Sequence, residues 1–176
     1  MSSLLTEIRQ REAELCQLYA RIRETFEREP HGSAHHTACR RFHESYDRLA
    51  FPGGLKRGLA RLKAAEPEAV ETAIAFLLAD PWFNGSGFIK QDLCRALHGL
   101  TFSKDQGARI NRAVLRVIDR GFRPELRTLR RLARRTANEG FLDDLRERCG
   151  SPDPGVRRRA EWFLNHLEAF ARPPGR

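Results

Sequence analysis

Residues 123–135 read RPELRTLRRLARR, a stretch dense in the one side chain that pairs bidentately with carboxylates and phosphates. At 100° per residue a helix places Arg127, Arg130, Arg131, Arg134 and Arg135 within one arc of roughly 140°. Leu126, Leu129, Leu132 and Ala133 fill the opposite side. One face is built to pack and the other is a cationic wall, which could meet phosphates, meet an acidic protein or stand in water. A second stretch, HHTACRRFHE (35–44), sets His35, Cys39 and His43 at i, i+4 and i+8, imidazole and thiolate donors of the kind zinc takes. The outer two lie about 12 Å apart along a helix axis, too far to share an ion directly. Only the pairs His35/Cys39 and Cys39/His43 remain as weak metal candidates. The stronger reading is a half-buried cysteine among surface histidines, with no metal and no cofactor expected.

The segment DPWFNGSGF (80–88) gathers three aromatics around Gly85-Ser86-Gly87. Exposed, Trp82 and Phe83 would anchor a partner, since large aromatics dominate binding hot spots. Buried, they would wedge with Phe88 between neighbouring helices, the reading favoured here because aromatics dominate small helical cores. Trp162 and Phe163 carry the same choice, with the core again preferred. Catalytic signatures are missing: the chain holds no HExxH, GxxxxGK[ST], GxSxG or GxGxxG pattern. Asp143-Asp144 has no acid/base surroundings, and Cys39 has histidine neighbours only along its own helix. A non-enzymatic protein is expected.

The elements that must position these residues are helices throughout. Leu4, Leu5, Ile8, Leu15, Leu18, Tyr19, Ile22 and Phe26 form one long amphipathic stripe, ended by Pro30 and Gly32. A second helix is predicted from about His35 to Phe51 and a short linker helix over Leu55 to Ala64. Together 1–51 make an N-terminal helical hairpin or cap, followed by a linker over 52–66. Over 67–170 three units of about 35 residues can be superimposed, each helix, turn, helix, a period that belongs to helical repeats. Residues 171–176 read as a flexible tail.

In the last unit the turn GSPDP leads into GVRRRAEWFLNHLEAF, with Asp153 placed to cap the helix and Pro154 in its first turn. Asp153, Pro154, Val156, Arg157 and Ala160 resemble the inter-helix junction of a HEAT repeat. The first unit shares only Asp80-Pro81, and the middle unit shares neither residue. The resemblance implies an all-α fold, a short HEAT-like stack whose second helices line a concave surface. Arg127 to Arg135 would then lie beside Arg157 and Arg158 in one groove.

Composition locates the charge. The 176 residues carry +9 overall, and Arg109 to Arg159 holds 15 arginines against 7 acids, so the basic character is C-terminal. Basic residues comprise 28 Arg and 4 Lys, a ratio that coding bias toward GC could produce, so clustering is the informative feature and abundance is not. Four scattered cysteines without a CxxC pair fit free thiols. No apolar leader follows Met1, and the longest wholly apolar run, 73–79, cannot span a bilayer, so a cytoplasmic location off the membrane is expected. The leading expectation is a protein that docks an acidic protein partner through Arg127, Arg130, Arg131, Arg134, Arg135, Arg157 and Arg158, with Trp82 and Phe83 as apolar anchors. It could serve as an adaptor or neutralise a toxin. The alternative is nucleic-acid binding through phosphate contacts, although no aromatic interleaves the arginines of 123–135 for base stacking.

Overall fold

The computed structural model describes residues 2–121 and 123–171, and among them every regular element is helical. Nine helices are described: α1 (Ser2–Arg28), α2 (Ser33–Ala50), α3 (Leu55–Lys63), α4 (Pro67–Ala79), α5 (Ser86–Leu97), α6 (Lys104–Arg120), α7 (Leu126–Ala133), α8 (Glu139–Cys149) and α9 (Pro154–Ala171). Apart from Ala171, the tail expected over 171–176 lies outside the described residues. The chain divides into two compact units, Met1–Ile89 and Lys90–Arg176, and the division falls inside α5.

In the first unit α1 and α2 form the N-terminal hairpin, turned at Pro30–Gly32. Ile8 and Leu15 of α1 are buried, as are Ala38, Phe42 and Leu49 of α2. The other side of α1 meets α4, an apolar helix buried from Ala73 to Ala79, as a segment without a polar face must be. Two arginines of α1 reach the ends of its neighbours: Arg9 donates to the carbonyl of Ala79 and Arg11 to that of Arg48. Carbonyls in a last turn have no partner within their own helix, and a cation there also complements the helix dipole. The α2–α3 turn uses Gly53 and Gly54 at φ 77° and 90°, while Asp47 Oδ1 accepts from the backbone of Lys56 at 3.0 Å and so caps α3. Phe51 lies against Phe76, ring centroids 5.2 Å apart, and Gly58 lets α3 approach the Phe51 ring where a Cβ would stand 2.4 Å from Cδ1.

The second unit is built on α6, whose start carries a complete capping box between Ser103 and Gln106. Its buried face, Ile110, Val114, Val117 and Ile118, is packed by α7, α8 and α9. Polar clips fix that arrangement. Arg148 of α8 grips Asp119 at 2.8 and 3.1 Å, and Arg159 of α9 donates to the Ile118 carbonyl at 2.7 Å. Asp153 Oδ1 accepts from the backbone of Gly155 at 2.7 Å and Val156 at 3.3 Å, so the cap inferred for α9 is formed. Helix α7 is shorter than its periodicity implies. It stops at Ala133, leaving Arg134 and Arg135 in the following turn. Buried Thr136 explains the stop: its hydroxyl donates to Asn111 Oδ1 at 2.7 Å and its carbonyl accepts from Asn111 Nδ2 at 3.0 Å. A tertiary clip to α6 thus draws the chain out of the helix.

Candidate anion-binding groove

Within the second unit, α5 and α7 flank a groove of about 440 Å³ lined by Gln91, Arg95, Arg123, Pro124, Arg127, Thr128 and Arg131. Four guanidinium groups surround it, and among the described residues no carboxylate lines it. A smaller hollow of about 170 Å³ is lined by Cys94, Arg95, His98, Thr128 and Arg131, so Arg95, Thr128 and Arg131 form the rim shared by both. The spacing follows from helix geometry. Gln91 and Arg95 stand one turn apart on α5, and Arg127 and Arg131 one turn apart on α7, so each helix presents a short ladder.

The ends of the ladders are held from below. Lys90 Nζ of α5 meets Glu125 Oε1 at 3.0 Å, with the two side chains 1% and 0% exposed. Glu125 stands at the N-terminus of α7, where a carboxylate complements the positive end of the helix dipole, although it makes no side-chain cap. This buried pair ties the α7 start to α5 and so sets the distance between the groove walls. The Thr128 hydroxyl donates back to the Glu125 carbonyl at 2.8 Å.

Electrostatically the groove is in surplus. Arg95 is shared with Asp92 at 2.6 Å and Gln91 at 3.1 Å on its own helix. Among the described residues Arg127 and Arg131 make no hydrogen bond or ion pair. Their charge is felt next door: burial first, then Arg131 and Arg127, push the Arg130 guanidinium below its ordinary range. His166 of α9 is likewise pushed down, by burial and then by Arg130, Arg134 and Arg131. Cys94, fully buried beside Thr128, has its thiol pushed up to about 12 by desolvation. It stays protonated at neutral pH, which removes the thiolate a cysteine nucleophile needs.

The predicted site residues separate into groups. Arg127 and Arg131 line the groove. Arg130 does not; its guanidinium lies 3.6 Å above the Trp162 ring, and its Nε is buried with no hydrogen-bond partner. Arg134 and Arg135 are exposed in the turn. Arg158 is exposed one and two turns before Trp162 and His166 on α9, hence on their face. Arg157 falls about 140° around α9 from Trp162 and donates to the Ser151 carbonyl at 2.9 Å. The expected continuous wall from Arg127 to Arg158 is therefore broken up, because one arginine is used for stacking and another for the α8–α9 turn.

Trp82 and Phe83 belong to the first unit. Trp82 is 54% and Phe88 71% exposed, which corrects the expectation that they wedge into a core. The backbone around Trp82 is held by two hydrogen bonds: its N–H donates to Glu12 at 2.6 Å and its carbonyl accepts from Cys16 Sγ at 3.5 Å. Phe83 is half-buried against Tyr46, centroids 6.3 Å apart. Phe163 is fully buried, whereas Trp162 is half-buried beneath Arg130. In the 35–44 stretch His35 Nε2 lies 3.5 Å from Cys39 Sγ and its Nδ1 3.4 Å from the Thr25 hydroxyl. His43 turns away, edge-on to Phe42. No group of three or more potential ligands placed to hold a metal occurs among the described residues.

Sequence reasoning missed Gln91, Arg95, Arg123, Thr128 and the Lys90–Glu125 pair. The one available signal was Lys90, a lone lysine in the otherwise apolar run GFIK that opens α5. The fold and site define an all-α protein with an arginine-lined groove. No protein-family model, curated protein or solved structure matches this chain. Among the described residues no helix is long and apolar enough to cross a membrane.

Proposed function

We propose that this chain is a non-enzymatic, HEAT-like helical-repeat binding protein that docks an acidic protein partner through the groove between α5 and α7. The observation that carries the reading is the convergence of Arg95, Arg123, Arg127 and Arg131 on one hollow with no lining carboxylate among the described residues. Clustered guanidinium groups repel one another, and a partner that supplies carboxylates removes that repulsion while gaining charge-assisted, bidentate hydrogen bonds. The HEAT-like assignment draws on the Asp153 cap and the α8–α9 hairpin. An adaptor, or a protein that neutralises a toxin by covering an acidic surface, would use such a groove. Nucleic acid is the weaker ligand, because among the described residues no aromatic side chain lines the groove to stack on bases.

The test is a tagged pull-down from lysate of the source organism, with and without nuclease, comparing the wild-type chain with R127E/R131E. A partner retained equally in both halves and lost from the variant supports the proposal. Retention that vanishes with nuclease, or an unaffected variant, sinks it. A nucleic-acid complex with about six phosphate contacts would also show a log–log salt slope near −5.

A further inference from the structure

We infer that the acidic group recognised by this groove is a phosphorylated side chain of the partner, seated on the rim formed by Arg95, Thr128 and Arg131. The inference rests on the docking role proposed above and specifies its chemistry. Three features converge on it. First, the rim residues are shared by the 440 Å³ groove and the 170 Å³ hollow, so one ligand group placed there faces guanidinium groups from both α5 and α7. A carboxylate offers two oxygens and one charge, enough to fill a single arginine fork. A phosphomonoester offers three oxygens and close to two charges at neutral pH, matching several forks at once.

Second, the charge is uncompensated where such a group would sit. Arg131 and Arg127, one turn away, have no hydrogen bond or ion pair among the described residues. Burial first, and then the charge of neighbouring arginines that include Arg131, holds both Arg130 and His166 below their ordinary range. Among the described residues two acids approach the rim, and neither lines a hollow: Asp92 meets Arg95 at 2.6 Å on the exposed side of α5, and Glu125 is buried beneath against Lys90. Third, the size is that of a small-ligand site, ~300–1,000 Å³. It takes one modified side chain with its flanking backbone rather than a whole helix or duplex. Thr128, whose hydroxyl proton is engaged by the Glu125 carbonyl, shapes the same rim, and the walls are tied to each other by the buried Lys90–Glu125 pair. A phosphodiester backbone would bring only one charge per phosphate, with two free oxygens, and would leave the surplus partly unmet.

The test uses the full chain on three oriented peptide libraries that differ only at one fixed central position, phosphoserine, aspartate or serine. Retained pools are sequenced and affinities measured by fluorescence anisotropy. The expected result is at least about tenfold tighter binding of the phosphoserine pool than of the aspartate pool, with a flank preference and with competition by inorganic phosphate. R131Q and R95Q, each checked for an unchanged melting temperature, should each weaken phosphoserine binding about tenfold. That factor corresponds to the loss of one charge-assisted hydrogen bond. Equal binding of the aspartate and phosphoserine pools, lost together in R131Q, would overturn the phosphate inference and leave the acidic-partner role standing. Failure of every pool to bind in an arginine-dependent way would remove both. Inorganic phosphate binding as tightly as any phosphopeptide, with no flank preference, would overturn the inference in favour of a free phosphorylated metabolite. Displacement of the phosphopeptides by a random 20-mer oligonucleotide at equal or lower concentration would do so in favour of nucleic acid.

Discussion

The buried Lys90–Glu125 pair sets up the sharpest test of how this groove is held. Both side chains are essentially inaccessible, and Nζ and Oε1 are 3.0 Å apart. Yet neither carboxylate oxygen of Glu125 attains hydrogen-bond geometry, so the contact is a close ion pair and not an aligned, fully satisfied one. Desolvating two ions costs several kcal/mol each, and their attraction repays this fully only when geometry is excellent and the remaining lone pairs are bonded. Removing Lys90 strands the Glu125 carboxylate, neither oxygen of which has a hydrogen bond, in the interior. K90M should therefore destabilise the second unit by about 3–5 kcal/mol, a large part of the ~5–15 kcal/mol that holds a typical domain. Removing the carboxylate as well, in K90M/E125L, should recover part of that loss. Urea unfolding followed by tryptophan fluorescence in a W82F background reports on this unit alone, because Trp162 is then the sole tryptophan. A K90M cost under about 1 kcal/mol, or a double variant no more stable than K90M, would show that Glu125 is not the desolvated charge argued here.

Other consequences follow from the same geometry. G58A brings a Cβ to 2.4 Å from the Phe51 ring; overpacking should outweigh the gain in helix propensity of up to ~1 kcal/mol and cost a net ~1–3 kcal/mol by urea unfolding. The raised Cys94 pKa favours the folded state fully below pH 9.0, the thiol's ordinary value, and that contribution is lost as pH rises toward about 12. Alkaline unfolding of wild type should accordingly be steeper than that of C94A over this window, with up to about 4 kcal/mol at stake. For His166 the folded pKa lies below 6.5, so its contribution is present above 6.5 and lost as pH falls through the folded value. NMR titration should show that pKa rising in R131Q and rising again in wild type when phosphate neutralises the arginines; no change in either would detach His166 from the cluster.

How much of this was legible in the sequence depends on which forces set each feature. Helix positions were readable because apolar spacing and breakers act locally: Pro30 and Gly32 end the first stripe, and Asp153 caps α9 as its position implies. The end of α7 was not readable, because Arg134 and Arg135 continue the periodicity and only the Asn111–Thr136 clip across 25 residues terminates it. The groove was half readable. Arg127 and Arg131 lie on the arc that the spacing defined, but their counterparts Gln91 and Arg95 come from a helix with no distinctive charge pattern. Pairing α5 with α7 is a tertiary fact. Trp82 and Phe88 were misread because aromatic residues in a glycine-rich turn were credited to the core, whereas hydrogen bonds hold the Trp82 backbone and both side chains are largely exposed.

The arginine-rich composition admits a deflationary account, in which coding bias placed arginine wherever any cation would serve. The environments of Arg130 and Arg131 allow that account to be tested directly. Arg130 Cζ lies 3.6 Å from the Trp162 ring centroid with a buried Nε, a contact for which the guanidinium is better suited than an ammonium. Arg131 points its fork into a groove and contributes nothing to packing that a lysine stem could not supply. R130K should therefore lower stability by about 0.5–2 kcal/mol through the lost cation–π contact and buried surface and leave phosphopeptide affinity within about twofold. R131K should leave the melting temperature unchanged and weaken that affinity severalfold, because a point charge replaces a bidentate donor. Measuring both variants for both properties gives a crossed outcome under the functional reading. If lysine substitutes freely at both positions in both assays, the arginines are interchangeable cations, and the groove is a solvated face.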